Sequence, residues 1–208
     1  MSVTTFGELM LRLTTHDTLR FSQVTYLETN FGGVETNVAV LLNQLGDQVT
    51  FVTKLPENNI ADIAINQLRG YEIDTSLIAR GGDRMGLYFL QRGRGIRLIS
   101  VTYDRAFSAF ATPQKSDYDW GLLFMKINYF YISGITPTLS NELAQTVLDS
   151  ANIVICIRLK SFMMLIFVAS FGPRKPQWHL TDRFCHTSIF VLPMMRILVL
   201  HLDSQLSN

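Results

Sequence analysis

Apolar positions in the first 150 residues alternate between two periods, and the alternation predicts strands and helices in turn. Val3–Leu13 is rich in β-branched and apolar residues and predicts a strand, with Gly7 suited to a bulge or a close approach. Leu19–Glu28 alternates loosely, as half-exposed strands do. Val34, Val38, Leu41, Leu42 and Leu45 then fall at helical spacing, with the pair Gly32–Gly33 at the helix start and Gly46 just past its end. Gln48–Thr53 predicts a short strand, and Ile60, Ile63, Ala64 and Leu68 make one helical face that stops at Gly70. Strand, helix, strand, helix is the order of an α/β sheet covered by helices.

Residues 84–103 change character. Met85–Leu90 and Ile96–Tyr103 flank Arg92-Gly93-Arg94-Gly95 and predict a β-hairpin. Two strands cannot bury their own apolar face, so the hairpin calls for a small sheet beside the main one, with 19–28 as the expected partner. Asn128–Ser133 resumes the main sheet. Ser140 caps a helix whose face is Leu143, Ala144, Val147 and Leu148, and Ile153–Ile157 reads as the next strand.

Composition adds a break. Residues 1–150 carry 12 Lys and Arg against 15 Asp and Glu, whereas 151–208 carry 6 against 2. Twelve of the 13 glycines precede residue 135, and both cysteines, Cys156 and Cys185, follow residue 150. The apolar runs of the tail, 153–171 and 189–202, are interrupted by Arg158, Lys160, Pro193 and Arg196, short of the roughly 20 apolar residues of a membrane span. The overall charge of +1 gives no reason to expect a nucleic-acid surface. No charged prelude to an apolar run opens the chain, and two cysteines make no disulfide framework; a cytoplasmic location without membrane association is the expectation.

Two places could carry chemistry. Gly32–Gly33 lets a ligand approach the backbone at a helix start, and Asn37 stands one turn in; an ordinary tight turn explains the same pair. Tyr103, Asp104 and Arg105 end the hairpin, where an arginine fork suits a carboxylate or phosphate, with Tyr88 on the partner strand; the alternative is a surface Arg–Asp pair with two tyrosines packed on the sheet. Arg92, Arg94 and Arg97 read as a solvated tip, and Asp117 and Asp119 as helix-start acids. His16, His179, His186 and His201 lack metal-ligand spacing, and His179 with Cys185 is only a weak nucleophile–base pairing. Neither a Walker A stretch nor G-x-G-x-x-G occurs.

Phe6–Leu13, Leu19–Gln23, Phe31–Ala39 and Phe51–Asn58 resemble the N-terminal half of ribokinase-like (PfkB family) sugar kinases. Arg80–Phe89, Val101–Ala109 and Ser133–Pro137 are similar to the 2-keto-3-deoxygluconate kinases within that family. The resemblance covers roughly residues 2–150. It implies a ribokinase-like three-layer α/β domain, C-terminally truncated, occupying 1–157, with a small β-sheet lid from segments at about 8–30 and 84–105 that often pairs in a homodimer. It further implies that Gly33 and Asn37 approach a sugar acid, that Tyr88 and Tyr103 line its pocket, that Arg105 holds its carboxylate, and that the backbone near Ile135 closes one side. The implied reaction moves the γ-phosphoryl group of ATP, with Mg²⁺, to the C6 hydroxyl of 2-dehydro-3-deoxy-D-gluconate.

The family's Gly-Ala-Gly-Asp and Asp-x-Asn-x-Arg stretches do not occur in this sequence, so no catalytic residue is assigned. Residues 158–208 read as an unassigned tail, from a reading-frame change or from divergence. The expectation is a kinase by descent that is inactive or incomplete, with weak or absent ATP binding. A non-catalytic sugar-acid-binding or dimerising remnant, and a fructokinase-like fragment, are the alternatives.

Overall fold

The computed structural model describes residues 1–125, 127–156, 160–164 and 190–191. In chain order the elements are β1 (Ser2–Phe6), β2 (Met10–Thr15), β3 (Leu27–Gly32), α1 (Val34–Gln44), β4 (Gln48–Val52), β5 (Lys54–Leu55), α2 (Asn59–Gly70) and β6 (Ala79–Arg80). They continue with β7 (Leu87–Gln91), β8 (Ser100–Asp104), α3 (Trp120–Phe124), β9 (Tyr129–Ser133), α4 (Asn141–Cys156), β10 (Lys160–Met164) and β11 (Phe190–Val191).

Five strands form a parallel sheet in the order β11-β10-β9-β1-β4, in register so that Phe6 lies between Val52 and Ile132. Successive residues of a strand feed opposite faces. Val3, Val49 and Phe51 enter one apolar cluster with Ala39 and Leu42 of α1 and with Ala61, Ala64, Ile65 and Leu68 of α2. Phe6, Val52, Phe130 and Ile132 enter another with Leu123 and Phe124 of α3 and Leu143, Val147, Ala151 and Val154 of α4. Helices therefore cover a parallel sheet on both faces, the three-layer α/β arrangement. A second sheet, β3-β2-β7-β8, joins an antiparallel pair to the hairpin through the parallel contact of β2 with β7. β5 and β6 make a small parallel pair of their own.

Local signals hold at the helix starts. The Ser140 hydroxyl accepts the Leu143 amide at 3.0 Å, and Asn58 and Asp119 cap α2 and α3 in the same way. Gly46, just past α1, takes a positive φ of 92°. Asp117 stands in the 3-10 turn Lys115–Asp117, where its carboxylate accepts the Gln114 amide at 2.6 Å, and it also holds the buried Lys54 ammonium at 2.7 Å.

Four expectations are corrected. Val3–Leu13 is two strands in two sheets, broken at 7–9, where Glu8 turns inward and is buried. The apolar face of α2 is Ala61, Ala64, Ile65 and Leu68, while Ile60 and Ile63 are 47% and 59% exposed; the alanines let the helix sit close to the sheet. The partner of the hairpin is β2 with β3, and Phe21–Gln23 is a single 3-10 turn, so most of 19–28 is not strand. Residues 153–156 extend α4, because Val147, Ala151 and Val154 continue one buried helical stripe that overrides the β preference of Ile153 and Val154.

The strand after α4 is β10, which continues the main sheet beyond residue 157. His179, Cys185, His186 and His201, and most of the runs 153–171 and 189–202, lie outside the described residues. Among the described residues no helix is long and apolar enough to cross a membrane.

Phe6 is fully buried, its ring 5.1 to 5.3 Å from those of Phe110, Tyr118 and Trp120. Phe6→Ala should remove about 3–5 kcal/mol of folding stability, read as a lower urea midpoint. An unchanged midpoint would contradict this placement of the core.

Candidate functional site

The main sheet delivers β1 and β9 side by side, and the chain leaves their ends through Gly7–Leu9 and Gly134–Thr136. α1 starts beside both, because Gly33 lies against the Glu8 backbone. A Cβ on Gly33 would stand 2.1 Å from the Glu8 carbonyl oxygen, so only glycine allows this approach. Its φ of −171° is ordinary extended backbone; space, and not conformation, demands the glycine.

The neighbouring Gly32 marks where the expected site residues meet. A Cβ placed there would lie 3.6 Å from the Tyr88 hydroxyl oxygen and 3.8 Å from Asn37 Oδ1. Tyr88 and Tyr103 are cross-strand neighbours, with ring centroids 5.8 Å apart. The Arg105 guanidinium carbon lies 5.8 Å from the centre of the Tyr103 ring. Gly33, Asn37, Tyr88, Tyr103 and Arg105 thus form a chain of neighbours across the junction between the two sheets. Ile135, half-buried, sits past β9 and opens the 3-10 turn Thr136–Thr138.

Arg105 does not pair with Asp104. Arg84 takes Asp104 at 2.9 Å, and the Arg105 guanidinium is held by buried Glu8 through Nε at 2.7 Å and through Nη2. The Ser108 hydroxyl donates to the other Glu8 oxygen at 2.5 Å. The carboxylate passes so near Gly86 that a Cβ there would lie 2.4 Å from Glu8 Oε1. An acid inside the apolar run Phe6–Leu13 was the available signal for Glu8, but its partner is 97 residues away.

Glu35 is a second buried acid, in the first turn of α1. Its Oε1 accepts the Ser133 amide at 3.1 Å and the Thr136 hydroxyl at 3.0 Å, tying the start of α1 to the turn after β9. Its side chain fills the space of a missing side chain at Gly7, where a Cβ would lie 2.1 Å from Glu35 Cδ. Burial pushes the Glu35 carboxyl above its ordinary value, against the hydrogen bonds from Ser133 and Thr136. Burial, with Glu35 adding to it, also raises the Tyr131 phenol.

Comparison with known proteins gives this geometry a context. The model of the pfkB family carbohydrate kinases matches residues 2–177. The 2-dehydro-3-deoxygalactonokinase of Haloferax volcanii is 33% identical over 142 residues, 68% of this chain and 44% of that protein. The 2-dehydro-3-deoxygluconokinase of Bacillus subtilis (strain 168) is 25% identical over 151 residues, 69% of this chain and 44% of that protein. This chain therefore spans less than half the length of the curated relatives it matches. The crystal structure of 2-dehydro-3-deoxygluconokinase from Thermotoga maritima superposes with a TM-score of 0.85 at 38% identity, covering 88% of this chain and 56% of that one. The fold is thus the ribokinase-like α/β fold of that superfamily.

Glu35 makes stability depend on pH in a stated direction. With its pKa raised on folding, the folded state binds the extra proton, so stability falls as pH rises from the ordinary value of 4.5 through the raised one. Glu35→Gln keeps the acceptor without the charge and should flatten that slope in urea titrations at successive pH values. An identical slope in the variant would remove Glu35 as its source.

Proposed function

Because the chain belongs to the pfkB family of carbohydrate kinases, we propose that it binds a carboxylated sugar at the junction of its two sheets, as the acceptor side of an ATP-dependent phosphoryl transfer. The observation that carries this reading is the convergence of Gly32–Gly33, Asn37 and Tyr88 on one spot, with Tyr103 and Arg105 continuing from it. Glycines admit the ligand to the backbone at a helix start, the tyrosine hydroxyls and the Asn37 amide meet sugar hydroxyls, and Arg105 holds the carboxylate. Ile135, past β9, closes one side through its backbone. Glu8 orients Arg105 and leaves Nη1 outside that ion pair.

The favoured ligand is 2-dehydro-3-deoxy-D-gluconate, phosphorylated at its C6 hydroxyl. The Haloferax relative, named for the galactonate, favours that epimer as the second reading. Phosphoryl transfer needs a group to position the hydroxyl, donors around the transferring group and a metal-bound nucleotide. The 208 residues contain no Gly-x-Gly-Asp stretch, and among the described residues no three His, Cys, Asp or Glu side chains gather as a metal site. ATP and Mg²⁺ enter this reading through the family, and the proposal for this chain by itself is sugar-acid binding with weak or absent Mg-ATP binding. The second sheet would serve as a homodimer surface, since Leu98, Ile99 and Val101 on and beside β8, with Phe107 beyond it, stand exposed.

Calorimetric titration of the chain with both keto sugar acids, with fructose and with Mg-ATP tests the reading. A keto acid should bind in preference to fructose, and Arg105→Ala should weaken it about tenfold or more, the loss of a charge-assisted hydrogen bond. Unaltered affinity in that variant would take Arg105 out of the site. Protein-dependent phosphoryl transfer at a measurable rate would overturn the expectation for Mg-ATP.

A further inference from the structure

Arg12 stands on β2 in the cross-strand row that carries both site tyrosines. It pairs with Asn30 of β3 on one side and Tyr88 of β7 on the other, and Tyr88 pairs with Tyr103 of β8. Residues paired across strands project to the same face of a sheet. The alternate positions Leu11, Leu13, Phe31 and Leu87 belong to the apolar core. Arg12 is therefore on the face whose Tyr88 hydroxyl reaches Gly32 and Asn37, and Tyr88 is its immediate neighbour.

Its electrostatic position differs from that of Arg105. Among the described residues Arg12 makes no ion pair and no side-chain hydrogen bond, and its Nε is shut off from solvent without an acceptor. A shielded guanidinium N–H without a partner costs free energy, which works against any stability the side chain adds by packing. Arg105, by contrast, has its charge compensated by buried Glu8. A ligand carboxylate entering beside Tyr88 meets one cation already matched and one that is not.

We infer that Arg12 is a specificity-determining residue that supplies the unmatched positive charge for the carboxylate of a sugar-acid ligand. This rests on the sugar-acid reading above and adds to it the residue that separates acids from neutral sugars. The Arg12 charge faces no carboxylate among the described residues, so an anionic ligand gains from it an attraction that a neutral sugar does not.

The test is calorimetric titration of the full chain, Arg12→Gln and Arg12→Lys with 2-dehydro-3-deoxy-D-gluconate, with its galactonate epimer and with fructose, beside thermal unfolding of each without ligand. Arg12→Gln should lose about tenfold or more in acid affinity, so that preference over fructose shrinks, while Arg12→Lys recovers part of it. The unfolding midpoint of Arg12→Gln should hold or rise, because a poorly satisfied donor has been removed. Equal acid affinity in Arg12→Gln and the unsubstituted chain would overturn the assignment and leave the sugar-acid reading standing. So would a loss of acid and fructose binding together with a lower midpoint, the signature of a structural arginine. If the unsubstituted chain binds neither keto acid, the sugar-acid reading falls and this assignment falls with it.

Discussion

Glu8 is the group on which the architecture turns. It lies in the three-residue crossing from β1 of the main sheet to β2 of the second sheet, and it is buried. One oxygen holds Arg105 just past β8 and the other takes the Ser108 hydroxyl. Its carbonyl presses on Gly33 and its carboxylate on Gly86. A buried carboxylate is tolerated only when paired and hydrogen-bonded, and removing one partner of such a pair typically costs about 3–5 kcal/mol. That requirement joins the end of the hairpin, the start of α1 and the crossing between sheets into one rigid junction, and the candidate site lies at that junction.

Glu35 does for the other side what Glu8 does for this one. It binds the start of α1 to the turn after β9 through Ser133 and Thr136, and Gly7 leaves the space it occupies. Two inward-turned acids thus stand on either side of the Gly32–Gly33 helix start. The polar groups that brace the site are buried behind it, while Asn37 and Tyr103 stay exposed at its mouth. This division leaves the bracing groups shielded from water and the outer surface of the candidate site open.

Much of the layout was legible along the chain. The helix after Gly32–Gly33 and the Ser140 cap depend on local periodicity and local hydrogen bonds, and each formed where its pattern stood. The hairpin formed too, but its second strand starts at Ser100 and not at Ile96, with the turn closed by the bridge of Arg94 with Arg97. Errors came where a local pattern had two solutions. Ile60 and Ile63 fit a helical stripe as well as Ala61 and Ile65 do, and packing turned inward the face that carries Ala61 and Ala64. Ile153 and Val154 favour a strand in isolation, but the stripe begun by Leu143 and Val147 carries the helix through them. The Arg–Asp reading of residues 104 and 105 failed because Arg84 and Glu8 compete for them from distant positions.

What the residues decide without tertiary help is the succession of elements, the glycine pair at a helix start and the gathering of tyrosine and arginine at a strand end. These follow from side-chain volume, period and backbone freedom, which act over a few residues. Only the fold decides that Glu8 and Glu35 are buried, that Arg105 is matched and Arg12 is not, and that β2 leaves the main sheet to carry Arg12 beside Tyr88. Charge pairing and desolvation depend on which distant groups come within a few ångströms, and sequence spacing holds no record of that distance.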